Sequence, residues 1–352
     1  MARHLIIIGN GFDLAHGLNT RYSDFIISYL NTMIRKINNE IKVKANKELP
    51  NKKNYDFNIN DKFFEITINS KAQTIPEIKT TADFMKLLTE RYIRIHPKST
   101  FLLSVIQDLA INNWVDVEVK YFLMLKKFKP KDINKGISLF KAALIDYINN
   151  EIQAKPRECD SKISEHFKTI GLNNETCILN FNYTEFPESY KSNFDHDKLQ
   201  VINIHGTLKD VNNPIIFGYG DEMDKNVEEF ENTYDDAYLI NLKTMSYHLT
   251  PNYQNLIGFL HGGYFNVHIM GHSCGISDRL LFNTIFEYPK EYCKSIKIYY
   301  HQEKNKDTNE ITDDFYRKCV QLYRHFSPGN KRKARELIVD YTSSCPLLNI
   351  SC

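Results

Sequence analysis

The sequence predicts an α/β fold, a Rossmann-like parallel sheet flanked by helices, with a large helical insertion after the first strand-helix unit. Three observations carry that prediction. Short β-branched apolar runs recur along the chain, and each stops at small or polar residues, the mark of buried strands. The first run breaks into Gly9-Asn10-Gly11 ahead of an amphipathic stretch, the opening of many nucleotide-binding sheets. Between the first run and the second lie roughly 165 residues in which helical apolar spacing dominates.

The predicted strands are residues 4–8, 176–179, 199–204, 214–217, 265–270 and 295–300. Helical spacing covers 22–34, 81–95, 102–113 and 137–152. Residues 35–54, rich in Lys and Asn and containing a Pro, read as a mobile surface segment. Residues 221–236 carry eight acids against one lysine and read as a solvated loop. The tail, 313–341, reads as two helices split at Ser327-Pro328-Gly329. Aromatic residues of the insertion, Tyr121, Phe122 and Phe128, read as core. These elements assign 1–30 and 176–305 to a nucleotide-binding core, 31–175 to the helical insertion and 306–352 to a C-terminal helical extension.

Composition narrows the function classes. A chain of 352 residues can bury a sizeable core, and 25% charged with 42% hydrophobic residues is the composition of a soluble globular protein. With 45 Lys+Arg against 43 Asp+Glu, the formal charge of +2 argues against coating nucleic acid by bulk charge. The lysine runs at 42–53 and 126–131 read as solvated faces, so nucleic acid is not an expected partner. Seven cysteines, at 159, 177, 274, 293, 319, 345 and 352, form no CxxC pair, which gives neither a zinc site nor a disulfide framework. Reduced thiols and a cytoplasmic location are expected. The apolar run at 5–8 is too short to span a membrane, so no membrane partner is expected.

Four stretches could carry chemistry, all at the ends of predicted strands, where open α/β sheets bind ligands. Glycines at 9 and 11 would let the backbone of Gly9, Asn10, Gly11, Phe12 and Asp13 turn sharply and offer N–H groups to a phosphate. A tight turn without a ligand is the competing reading, because Leu14 stands where the third glycine of the dinucleotide fingerprint would fall. Asn182, in Asn180-Phe181-Asn182-Tyr183-Thr184, could hold a ribose hydroxyl or a water, and His205, before Gly206, could accept a proton near neutral pH. Gly271, His272 and Ser273 end the fifth run. Asp278 reads equally as a ribose contact or as the N-cap of a helix over 279–286, and His16 reads equally as ligand-facing or as helix packing.

Residues 6–25, IIIGNGFDLAHGLNTRYSDF, closely resemble the opening of the AbiH family of bacteriophage abortive-infection proteins, and NFNYT, IHG and GHSCGISD follow in that family's order. A more distant resemblance is to sirtuin-like NAD-binding defence proteins. Gly9 to Asp13 is similar to their Gly-Ala-Gly-x-Ser loop, Asn182 to the Asn of Thr-Gln-Asn-x-Asp, His205-Gly206 to the catalytic His-Gly, and Gly271-His272-Ser273 to the adenosine-side Gly-Thr-Ser. The resemblance implies a sirtuin-like core and an antiphage effector that hydrolyses NAD to nicotinamide and ADP-ribose. NAD is then substrate, with no true cofactor and no metal. Asn182 and His205 are the expected catalytic residues, with Gly9, Asn10, Gly11, Phe12, Asp13, Gly271, His272, Ser273 and Asp278 binding the nucleotide. Asp13 departs from the pattern, standing where those proteins have Ser, and as a carboxylate beside a pyrophosphate it reads better as a helix cap. Thr184 replaces an acid, and the missing CxxC module argues against protein deacylation. The alternatives are a nucleotide sensor, for NAD or ADP-ribose, without turnover, or a nucleic-acid-acting defence protein that uses the basic stretches at 42–53 and 126–131. A cell-killing hydrolase needs restraint, so a phage trigger, a partner protein or a homo-oligomer is expected.

Overall fold

The structure is a computed structural model that describes residues 2–47, 56–69, 74–112, 116–154, 157–287, 291–305 and 308–349. It divides into two compact units, Met1–Asn19 with Glu151–Cys352, and Thr20–Asn150.

The first unit is built on six strands: β1 (Arg3–Ile8), β2 (Glu175–Asn180), β3 (Leu199–Asn203), β4 (Phe265–Met270), β5 (Cys293–Tyr300) and β6 (Cys345–Pro346). All pair in parallel, in the spatial order β3-β2-β1-β4-β5-β6. That is the Rossmann order, with its switch point between β1 and β4, where such sheets place ligands.

Burial on both faces explains why β1 is an unbroken apolar run rather than an alternating one. Leu5 and Ile7 pack on one face with Phe259, Phe282 and Leu322. Ile6 and Ile8 pack on the other with Ile163, Phe167 and Tyr190. The helices that supply these residues are Asn252–His261, Arg279–Glu287 and Phe315–His325 on the first face, and Ser161–Gly171 on the second. A polar line also crosses the second face. His4 on β1 meets His268 on β4 at 2.9 Å, and the Tyr299 hydroxyl on β5 meets His268 at 3.0 Å and His166 at 2.6 Å.

Residues 214–217, expected as a strand, form no ladder. Gly206, at φ +82°, turns the chain back after β3, and the segment is held instead by Ile216 N–H donating to His205 O. Of the acidic run, Lys225–Glu231 is a helix, and Asp221 is buried against Arg279 at 3.2 Å rather than solvated. The tail does form two helices, Phe315–His325 and Lys331–Leu337, but it also adds β6 and a short hairpin strand, Ile311–Asp313. Cys159, Cys177, Cys274, Cys293 and Cys319 are free thiols, whereas Cys345 is disulfide-bonded, against the expectation of reduced cysteines.

In the second unit, helices Tyr22–Lys47, Thr100–Asn112, Val117–Leu125 and Pro130–Tyr147 accompany an antiparallel sheet of Phe57–Asn60, Phe64–Ile68 and Ile93–Pro97. The expectation is of a largely helical insertion, and the three strands are an addition to it. The helix predicted over 81–95 ends at Leu87, and Ile93 and Ile95 point inward with Arg94 and His96 outward, a two-residue period. The segment 35–54 is helical through Lys47, and its remainder lies outside the described residues, as does the second half of the basic run at 42–53. Tyr121 and Phe122 are core, while Phe128 is exposed. No helix among the described residues is long and apolar enough to cross a membrane.

Candidate functional site

The chain after β1 is stitched to the end of β4. Gly9 N–H donates to Met270 O at 3.1 Å and Gly11 N–H to Gly271 O at 2.7 Å. Only glycines allow that approach. A Cβ on Gly271, itself at φ +73°, would lie 2.1 Å from Phe12 N, and one on Gly9 would lie 2.6 Å from His272 Cα. The glycines therefore serve close backbone packing. The N–H groups of Gly9, Gly11 and Phe12 are already given to protein carbonyls, the last to Gly9 O at 2.8 Å.

Asn182 is brought to this turn from the end of β2. Its backbone N–H donates to Asn180 Oδ1 at 3.0 Å, and its Nδ2 donates to Gly9 O at 3.2 Å. Because a carbonyl can only accept, the amino half of the amide must face Gly9, which leaves Oδ1 as the group to present.

His205 arrives two residues after β3, only 4% exposed, with Phe181 edge-on at 5.1 Å between ring centres. The following glycine is forced, since a Cβ on Gly206 would lie 2.2 Å from Pro214 O. The imidazole Nε2 lies 3.3 Å from Asp278 Oδ1 and 3.4 Å from the Tyr247 hydroxyl. Lys243 Nζ lies 2.6 Å from the same Asp278 oxygen, its side chain wholly buried. His272 completes the cluster, its Nε2 3.8 Å from Asp278 Oδ2 while its Nδ1 accepts Cys274 N–H at 2.9 Å.

The matched family model, described as bacteriophage abortive infection AbiH, covers residues 5–301, and so takes in every one of these groups. The chain belongs to the AbiH family. No curated protein and no solved structure matches it.

Electrostatics give each group of this AbiH chain its protonation state. Burial alone would raise the Asp278 carboxyl, but the Lys243 ammonium, with the His205 hydrogen bond, outweighs it and holds Asp278 ionised, well below the usual carboxylate range. Burial, reinforced by Lys243 and partly opposed by Asp278, lowers His205. Burial also lowers His272 to about 3, so that ring is neutral and its Nδ1 is free to accept. Asp13 lies under the glycine turn, 1% exposed. Burial pushes its carboxyl up to about 7, opposed by the Thr184 hydroxyl and by the nearby Asn182 amide. Thr184 Oγ1 donates to Asp13 Oδ2 at 2.6 Å, and Asp13 Oδ1 has no hydrogen-bond partner.

Of the expected site residues, Gly9, Gly11, Asn182, His205, Gly271, His272 and Asp278 form one contiguous group at the switch point, with Asn10 and Ser273 exposed beside it. Phe12 does not face that group. It is core on the other side of the sheet, against Phe167 and Tyr190. His16 belongs there too, held by Phe12 O at 2.8 Å and the Tyr190 hydroxyl at 2.6 Å. Asp278 is no helix cap, since its oxygens go to Lys243 and the histidines. Nor is Asp13, which sits in a helix whose N-cap, Gly9, has no side-chain bond. The two departures from the sirtuin-like pattern, at 13 and 184, are hydrogen-bond partners of each other.

Sequence reasoning missed Lys243, Tyr247 and the buried Lys318, whose Nζ donates to His272 O at 2.7 Å. No local signal marks Lys243. It is delivered by the neck of a loop, where Tyr219 N–H donates to Asn241 O at 3.1 Å and Lys243 N–H to Tyr219 O at 2.8 Å. Among the described residues no group of three or more His, Cys, Asp or Glu could hold a metal.

Proposed function

We propose that this abortive-infection protein is an NAD glycohydrolase that releases nicotinamide and ADP-ribose. The observation that carries the reading is the chain of contacts from Asn182 through Gly9 and His272 to the His205–Asp278 pair at the switch point of a Rossmann-ordered sheet. Cleavage of the nicotinamide bond passes through an oxocarbenium-like ribose, which needs an oriented nucleophile, a base and a water-poor surrounding. Asn182 Oδ1 would accept from a ribose hydroxyl or the attacking water. His205, kept neutral by burial and Lys243, would take the proton, a role worth roughly a hundredfold to ten-thousandfold in rate. The proton would be received at Nε2, where Asp278 Oδ1, 3.3 Å away, would stabilise the imidazolium that results. Asn10 and Ser273 are the exposed groups that would meet the nucleotide, because the turn amides at 9, 11 and 12 are spent.

The test is nicotinamide release from NAD by the purified chain and in phage-infected cells, with Asn182→Ala and His205→Ala alongside. Loss of release in both variants is expected. Undiminished release in both would remove the assigned roles, and no release under any condition would remove the enzyme class. One observation favours a second reading, a sensor of NAD or ADP-ribose: His205 Nε2 is already occupied by Asp278 and Tyr247. Calorimetry that found tight binding of intact NAD, without turnover, would select the sensor.

A further inference from the structure

The least expected group at the switch point is the Asp13 carboxyl. It is buried, has one hydroxyl donor and an orphan oxygen, and forms no salt bridge among the described residues. It is also wired to Asn182. Thr184, which donates to Asp13, offers its backbone carbonyl to Asn180 Nδ2 at 3.0 Å, and Asn180 Oδ1 accepts Asn182 N–H. Asn182 Nδ2 returns to Gly9, four residues before Asp13, which closes a circuit. An ionised carboxyl is an acceptor at both oxygens and leaves Oδ1 in need of a donor, whereas a neutral acid protonated there carries an O–H and calls for an acceptor instead, so it does not attract the Asn182 amino group. The second donor that acts on Asp13 is the Asn182 amide.

We propose that Asp13 is a positioning residue that sets the orientation of Asn182: as a neutral acid it leaves the Asn182 amino group on Gly9, and as a carboxylate it draws that amino group to its own Oδ1. The inference rests on the reading of Asn182 as the ligand-facing amide, and it makes nucleotide handling depend on pH. Burial places the change near neutrality, at about 7. The titratable and charged groups around the turn do not pre-empt it. His16, on the same helix, is tied to Phe12 and Tyr190; Asp160 acts on His16; Arg157 Nη2 reaches Gly17 O at 3.4 Å; and His272, packed on Gly9, stays neutral.

The experiment follows the side-chain amide resonance of Asn182 by NMR between pH 5.5 and 8.5, in wild type, Asp13→Asn and Thr184→Val. A titration with its midpoint near 7 is expected in wild type and none in Asp13→Asn. Thr184→Val, which keeps the carboxyl and removes a donor that favours its charged form, is expected to raise the midpoint. An Asn182 signal that is flat in wild type, or that titrates unchanged in Asp13→Asn, overturns the proposal. Should Asp13→Asn fail to fold, an unmoved midpoint in Thr184→Val overturns it equally. No nucleotide is needed, so failure of NAD hydrolysis and failure of this inference are read separately.

Discussion

Replacing Asp278 by Asn would leave the ammonium of Lys243 without its carboxylate, deep in the protein. The Lys243 side chain is wholly buried and its Nζ is 2.6 Å from Asp278, so bulk water does not screen the pair. Removing one partner of such a pair costs about 3–5 kcal/mol. For a domain of this size, that corresponds to a fall in Tm of roughly 6 to 20 °C. Lys243→Met should cost a similar amount, because Asp278 then keeps only His205 and His272. The double variant should be closer to wild type than the sum of the singles, since a matched apolar replacement carries little of the penalty. Thermal unfolding of all four proteins at pH 7 measures this. Strict additivity, or a loss below about 1 kcal/mol in either single variant, would refute the buried-pair account.

The glycine stitching predicts a ranking. Gly271→Ala forces a Cβ against the backbone of Phe12 as well as straining φ +73°, whereas Gly17→Ala has the same φ and open space around it. The first should lose several times the roughly 1–2 kcal/mol expected of the second, and equal Tm values would contradict the packing role. Stability should also fall with acid. His272 takes up a proton near 6.5 when unfolded but only at about 3 when folded, so its contribution is complete above pH 6.5 and shrinks as pH falls toward 3. At pH 5 the loss is roughly 2 kcal/mol, and a Tm unchanged between pH 7 and 5 would count against it. Tyr299→Phe deletes the hydroxyl that joins His268 to His166 and should cost about 1–3 kcal/mol, read by chemical denaturation; a neutral result would mean that those rings find other partners.

What the sequence disclosed follows from where information is local. β1, β2, β4 and β5 are brief runs buried on two faces, so their apolarity alone declares them. Asn182 and His272 stand two residues beyond such runs and share their legibility, and His205 stands two beyond β3. Ile93 and Ile95 follow a helix without a glycine or proline to mark the change of period, and the strand there was hidden. Residues 214–217 look like a strand because they are buried, yet they lie across the end of β3 instead of beside it. Lys243 could not be foreseen, because its depth is decided by a contact with Tyr219, 24 positions earlier in the chain. Phe12 shows the converse limit: a residue inside a recognisable motif can still point away from the chemistry.

The loop closed at Tyr219 and Leu242 has a fixed mouth, and within it Val227 and Phe230 are buried while Met223, Tyr234 and Ile240 are exposed. Gly218 crowds Asn241 O and Gly220 crowds Ser277 O, so the entry and exit tolerate little change. The exposed side chains within, at Met223, Tyr234 and Ile240, can therefore be exchanged while the ammonium that the loop delivers stays where it is. Swapping those three positions would alter what the outer surface meets without rewriting the chemistry beneath it.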